Sequence, residues 1–318
     1  MVNGMNNNRS RKIFRTLDEQ IDILKSKGLV ILDEEKTKNI LLRENYFFVS
    51  GYRHLFMKSN KDIAFLPGTT FEELYSMFVF DRRIRNIFFK NLLIVENNIK
   101  SLISYQLSKK YGYREKDYLN PNNFTKNPMK IRQVHDVLNK VKRQIRVNGK
   151  QHSATMHYIT NYGYIPLWIL VKVLSFGILS ELYNILDESD QKDIASLYNL
   201  DTDTLGIYLT ILSNYRNLCA HEDILYDHKT QKVIPDNKYH ELLNIPRIDD
   251  EYIYGKNDLF SVVIIMRYML TDGEFRDLKN ELGFELDMLD GKTNVLPIKS
   301  FLDKFGFPEN WRDIDTLQ

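Results

Sequence analysis

The stretch Ser213-Asn-Tyr-Arg-Asn-Leu-Cys-Ala-His-Glu222 places an arginine, an asparagine and a histidine inside an otherwise apolar segment. On an α-helix, Asn217 and His221 are four residues apart and share a face. Arg216 lies about 140° away from His221 around the helix, but its long side chain can curl toward the same side. These residue types suit cleavage of RNA. A base takes the proton of the ribose 2′-hydroxyl, which attacks the adjacent phosphorus. An acid protonates the departing 5′ oxygen, and a cation stabilises the charge that builds on the phosphorane. Histidine titrates near neutrality and serves as base or acid. Arginine is a permanent, forked phosphate ligand. Asparagine can orient a hydroxyl or the imidazole. The nucleophile belongs to the substrate, so this chemistry requires no metal and no cofactor. The competing reading is a polar network that closes a helix end.

Other chemistries fit less well. Cys219 lies about 200° from His221 around the helix, which disfavours a thiol–imidazole pair, and it reads as a small buried residue. Arg146 precedes His152 at a similar spacing, but Asn148-Gly149, a turn signal, separates them. His152 and His157 have no Cys or acid nearby at ligand spacing, so no metal site is expected. The chain has no G-x-x-x-x-G-K-[ST] stretch, which argues against a P-loop nucleotidase.

The elements that must carry the motif are helical. From Thr70 to Lys110 the chain has neither Gly nor Pro, and it opens with Thr70-Phe-Glu-Glu73, a capping-box pattern. One long helix, or two nearly collinear ones, is expected there. Shorter helices are expected at 17–27, ending at Gly28, and at 33–44. Extended pieces are expected near 46–57, where aromatics surround a glycine. Residues 120–127 form an Asn- and Pro-rich loop. A helix over 128–147 follows, with Ile131, Val134, Leu138, Val141 and Ile145 on one stripe. It carries Lys130, Arg132, Lys140, Lys142, Arg143 and Arg146 against the single acid Asp136, which suits RNA-backbone contact. Phe124 and Tyr118 nearby are candidates to stack bases, or to anchor the core. A helix over 166–186 starts at Pro166. Its segment Trp168–Gly177 reads as core or dimer interface, with Gly177 permitting close packing. Helices near 190–198 and 202–220 come next. Residues 226–256 read as a long loop with room for a short hairpin. Helices at 257–271 and 272–282 and a tail around 297–312 complete an all-α class.

Composition bounds the rest. The 318 residues are 43% hydrophobic and 27% charged, as in an ordinary globular chain. The single cysteine precludes an internal disulfide. The polar N-terminus lacks an apolar signal core, and the runs 165–174 and 261–270 fall short of the roughly 20 residues of a membrane span. A cytoplasmic protein with no membrane partner is expected. Residues 1–150 hold 29 Lys and Arg against 15 Asp and Glu; residues 151–318 hold 15 against 27. The basic half either attracts a polyanion or is neutralised by the acidic half.

RNLCAHE resembles the R-N-x-x-A-H motif of HEPN-domain ribonucleases, and the whole chain is similar to the Abi-like abortive-infection family of the AbiD/AbiF type. The similarity is carried by residues 27–56, by FDRRIRNIFFKNLLIVENNIKSLISYQL (80–107) with Asp81-Arg82 in the usual place, by IPLWILVKVLSFGILSELYNIL (165–186), and by LDKFGFPENW (302–311). The resemblance implies a HEPN-type helical bundle with extra N-terminal helices and a small C-terminal extension. It implies metal-independent RNA cleavage in phage defence, in the manner of a toxin, with Arg216, Asn217 and His221 in the catalytic roles. It also implies a homodimer whose two motifs meet in one cleft, and in some relatives a structured non-coding RNA as inhibitor. Many relatives carry an arginine shortly after the histidine; here Ile224 stands in that place, and Lys229 is a candidate replacement. The expected organisation is a flexible stretch 1–15, the helical domain 16–275 with the motif within 202–222, and an extension 276–318. The alternative is an RNA-binding module without catalysis, in which the motif grips RNA or is structural.

Overall fold

A Ser, Thr, Asp or Asn before most helices decides where each begins, because its side-chain oxygen takes a backbone N–H that the first turn leaves unpaired. The computed structural model describes residues 13–58 and 63–315. The stretch 1–15 expected to be flexible falls, over residues 1–12, outside the described residues. Fifteen α-helices and one two-stranded ribbon are present among the described residues, so the protein is all-α.

Two compact units divide the chain. The first comprises Met1–Phe80 and Met288–Ile298. It holds α1 (Leu17–Ser26), α2 (Glu34–Glu44), α3 (Phe47–Tyr52) and the start of α4 (Phe71–Tyr111). Thr16 caps α1 in a reciprocal box with Glu19, and Asp33 caps α2. Residues 46–57 are not extended: α3 and a 3-10 turn, Arg53–Phe56, occupy them. The aromatics there serve packing rather than strand pairing, since Phe48 lies against Phe71, Tyr75 and Phe78 with centroids 4.8–6.1 Å apart. Glu73 completes the expected box with Thr70 and also accepts the N–H groups of Asn294 and Val295 at 2.6 and 3.0 Å.

The second unit, Asp81–Asp287 and Lys299–Gln318, holds the motif. Its α4 segment buries Ile84, Phe88, Leu92, Val95, Ile99, Ile103 and Leu107, a stripe at helical spacing. After α5 (Glu115–Tyr118) come α6 (Ile131–Asn148), α7 (Ser153–Tyr162), α8 (Leu167–Leu170), α9 (Phe176–Ile185), α10 (Glu188–Ala195) and α11 (Thr202–Ala220). The segment 226–256 contains α12 (Lys238–Leu242) and a ribbon of β1 (Arg247–Ile248) and β2 (Glu251–Tyr252). α13 (Leu259–Met269), buried on nearly every side, packs against α11. α14 (Asp272–Asp290) runs past the expected end at 282, and α15 (Ile298–Phe305) follows.

The expected helix over 166–186 is broken. Leu174 is extended, and Ser175 starts α9 by accepting the N–H of Ile178 at 3.3 Å. No proline or β-branched run marks this break; a serine inside an apolar sequence does. Gly177 is not the site of close packing, since an added Cβ would meet only Ser175 Oγ at 3.9 Å. That role falls to Gly206 on α11, where a Cβ would come within 2.6 Å of Asn184 Oδ1 on α9. On α6 the buried stripe is Val134, Val137, Leu138 and Val141, while Ile131 is exposed.

If Ser175 sets the start of α9, Ser175→Ala will lower stability by about 1 kcal/mol and Ser175→Asp will retain it. Urea denaturation of the two variants against the parent checks this.

Candidate active site at the end of α11

Asp201 caps the start of α11 by accepting the N–H of Thr204 at 2.8 Å. The helix buries Leu205, Tyr208, Leu209, Leu212, Tyr215 and Cys219 on one side. The opposite face presents Thr210, Asn214, Asn217 and His221. Upstream, Gly206, Thr210 and Ser213 line a cleft of about 680 Å³ with residues of α6 and α9. The face bearing Asn217 and His221 therefore continues a polar groove.

His221 is the C-cap residue, and the chain turns sharply after it. Glu222 adopts φ +57°, and the N–H of Asp223 returns to the carbonyl of Leu218 at 3.2 Å. This is a Schellman closure with glutamate where glycine is usual, at a cost of roughly 1–2 kcal/mol. A buried ion pair on α4 holds the turn. Arg85 Nη1 lies 2.9 Å from Asp81 Oδ2 and donates to the carbonyl of Asp223 at 2.7 Å. The Asp81 carboxylate accepts the N–H groups of Leu225 at 3.3 Å and Tyr226 at 2.9 Å. Both side chains are almost fully buried. The backbone that leaves His221 is thus tied to one pair of charges at three of the four positions 223–226.

Arg216 is half-buried and oriented by a second pair of α4 charges. Its Nε donates to Glu96 Oε2 at 3.2 Å, while Lys100 Nζ binds the other Glu96 oxygen at 2.7 Å. The guanidinium lies over the Phe89 ring, 5.9 Å from its centroid. With Nε engaged, the terminal nitrogens remain, and Nη1 reaches Asn217 Oδ1 at 3.5 Å. Arg216 and Asn217 therefore meet despite their different wheel positions. Asn217 and His221 are both exposed. The His221 imidazole forms no hydrogen bond with a described residue. Burial pushes the Cys219 thiol up to about 12, which removes it as a nucleophile at neutral pH.

A second histidine stands beside the same face. His228 Nε2 pairs with Asn214 Oδ1 at 2.7 Å, its carbonyl accepts the Tyr215 hydroxyl, and its ring meets Tyr215 edge-on. Burial holds its pKa below the ordinary value, against the pull of the Asp227 and Asp223 carboxylates.

The other expected residues are scattered in role. Lys130 donates to the Asn184 carbonyl at 3.2 Å, and Lys140 pairs with Glu181 at 2.6 Å. Arg132, Lys142, Arg143 and Arg146 are exposed and form no ion pair with a described residue. Lys229 is exposed, and its charge acts on the buried Asp258. Ile224 is half-buried. Tyr118 and Phe124 are fully buried and cannot stack on a base. No group of three or more His, Cys, Asp or Glu capable of holding a metal occurs among the described residues. No helix among them is long and apolar enough to cross a membrane. Sequence reasoning missed Arg85, Glu96, Lys100 and His228. For Glu96 and Arg85 a signal existed, because both interrupt the buried stripe of α4 at its own helical spacing.

The chain belongs to the family described as Abi-like protein, whose family model matches residues 39–227. That span contains Asp81, Arg85, Glu96, Arg216, Asn217 and His221. No curated protein and no solved structure matches the chain.

Asp81→Ala leaves the Arg85 charge buried and unpaired, and is expected to destabilise the protein by about 3–5 kcal/mol in chemical denaturation. His228 supplies a pH test. Its folded pKa lies below the unfolded value, so the unfolded state binds more protons in between. Its contribution is complete above the unfolded value and is lost as pH falls toward the folded one. Melting temperatures measured from about pH 7 to about pH 5 should fall more steeply for the parent than for His228→Gln.

Proposed function

We propose that this abortive-infection-type protein is a HEPN-type endoribonuclease of the AbiD/AbiF kind, acting as a toxin-like effector against phage. The observation that carries this reading is the meeting of an anchored arginine, an amide and an exposed histidine at one surface. Glu96 holds Nε of Arg216, so the guanidinium offers its terminal N–H groups outward beside Asn217. A phosphate seated there receives forked donors from Arg216, which strengthen as negative charge grows on the phosphorane. His221 takes the 2′-hydroxyl proton, and Asn217 holds that hydroxyl or the imidazole in place. The attacking 2′ oxygen bonds to phosphorus, the bond to the 5′ oxygen breaks, and that oxygen gains a proton. The products are a 2′,3′-cyclic phosphate and a 5′-hydroxyl.

One protomer supplies one histidine at this point. His228 sits by Asn214, seven residues from His221, a rise of about 10 Å along the helix. Its Nε2 is engaged by Asn214 rather than free for proton transfer. A homodimer that brings two copies of His221 together supplies base and acid. The exposed cations of α6 guide the RNA backbone, and a structured non-coding RNA is a fitting restraint on such an activity.

One observation favours a second reading, RNA binding without cleavage. Glu222 and Asp223, both exposed, directly follow His221 and repel phosphate, and Ile224 offers no charge to offset them.

Purified parent and His221→Ala proteins, incubated with RNA in excess EDTA, separate the two. Cleavage by the parent to cyclic-phosphate ends is expected, with a loss of at least about 10²-fold in the variant and little change in RNA affinity. Equal cleavage by the variant overturns the assignment of His221. Bound, uncut RNA with the parent supports the second reading.

A further inference from the structure

Away from α11, at the C-terminal end of α6, the surface carries aromatic rings that do not enter the core. Tyr113 is 44% and Tyr162 57% exposed. They belong to a continuous series of four tyrosines. Tyr113 lies 5.5 Å from Tyr164, Tyr164 lies 6.3 Å from Tyr162, and Tyr162 lies 5.3 Å from Tyr158, centroid to centroid. The Arg114 guanidinium covers both Tyr113 and Tyr164, at 5.8 and 5.4 Å. Two glycine turns build the cluster. Gly112, at φ +101°, ends α4 and delivers Tyr113; Gly163, at φ +75°, ends α7 and folds Tyr164 back beside Tyr162. Glu115 then ties the two segments by accepting the N–H of Ile165 at 2.6 Å.

Cations without an ion pair among the described residues line the cleft that begins beside Arg114. Lys142 and Arg146 of α6 share a shallow cleft of about 560 Å³ with Glu115 and Lys116, the residues that directly follow Arg114. Arg143 on the same helix is also exposed. A protein-docking core is typically depleted of lysine, though enriched in tyrosine and arginine. Exposed rings beside uncompensated Lys and Arg are instead the combination that holds single-stranded nucleic acid, with bases on the rings and phosphates on the cations. A duplex keeps its bases stacked internally and cannot use the rings.

We propose that Tyr113, Arg114, Tyr162 and Tyr164 form a base-stacking site for single-stranded RNA, with Lys142 and Arg146 holding the backbone that leads onto it. The proposal rests on RNA as the ligand of this protein, and it does not require that the RNA be cut. α6 runs from Gln133, in the groove beside α11, to Arg146 beside this platform, a span of about 20 Å. A strand held here therefore lies along the exposed basic face of α6.

The test uses the full chain with His221→Ala, so that RNA stays intact, and fluorescence anisotropy with a labelled uridine oligonucleotide and an RNA duplex of equal length. Tyr113→Ser combined with Tyr162→Ser is expected to weaken single-strand binding by about tenfold or more and duplex binding by less than about twofold. Tyr113→Phe with Tyr162→Phe keeps the rings and is expected to retain single-strand affinity. Unchanged single-strand binding by the serine variant overturns the proposal, as does an equal loss for strand and duplex. A changed oligomeric state with unchanged RNA affinity assigns the surface to a protein partner and also overturns it. Cleavage by the protein with His221 intact, measured in parallel, reports on the ribonuclease reading alone.

Discussion

The buried pair of Asp81 and Arg85 is the constraint on which the candidate site depends. Two charges one helical turn apart on α4 lie in the interior, where an isolated ion would be heavily penalised. They are paired with each other, and each also hydrogen-bonds the backbone of residues 223–226, more than a hundred positions later. Such a pair adds little net stability over apolar residues of the same volume. Its effect is on geometry: the backbone after His221 has one position in which those N–H and carbonyl groups are satisfied. The left-handed Glu222 is consistent with this, because a strained residue persists where its surroundings over-determine it.

The second pair of α4, Glu96 and Lys100, orients the arginine by the same device. Glu96 lies eleven residues after Arg85, about three turns, so both pairs project from nearly the same side of one rigid helix. One pair fixes the turn that carries His221, and the other fixes Arg216. The two pairs lie roughly 16 Å apart along the axis. Here α4 acts as a ruler, and its length without Gly or Pro keeps the two fixed points in register.

Much of the architecture was legible because local chemistry and global packing agree. The segment from Thr70 to Lys110 announced one helix through its capping box and lack of breakers, and α11 did so through its apolar period. Disagreement arose where a residue type served a purpose other than its commonest one. The aromatics of 46–57 pack against α4 rather than pair as strands. Ser175 starts a helix inside an apolar run. For the site, the gathering of Arg216, Asn217 and His221 within two turns was visible, but the partner that orients Arg216 stands 120 residues away. No local period encodes that pairing; only a carboxylate lodged in a buried stripe hints at it. His228 was harder still, since it lies in a loop and reaches the α11 face only through the turn that Asp81 and Arg85 hold.

The charge asymmetry of the chain resolves in the same terms. Part of the basic half is neutralised by the acidic half, as Arg83 with Glu285, Lys90 with Glu281, Lys110 with Asp190 and Lys140 with Glu181 make plain. These partly exposed pairs contribute little stability each, about 0–1 kcal/mol. Their larger consequence is what they leave over. With those cations matched, Arg132, Lys142, Arg143 and Arg146 of α6 stand out as exposed charge without a partner among the described residues. These four cations share one helix, which lines the groove beside α11 through Gln133 and a second cleft with Glu115 and Lys116 through Lys142 and Arg146. On the proposed reading, an RNA strand held by these cations would lie along α6, between the tyrosine surface and the groove beside α11.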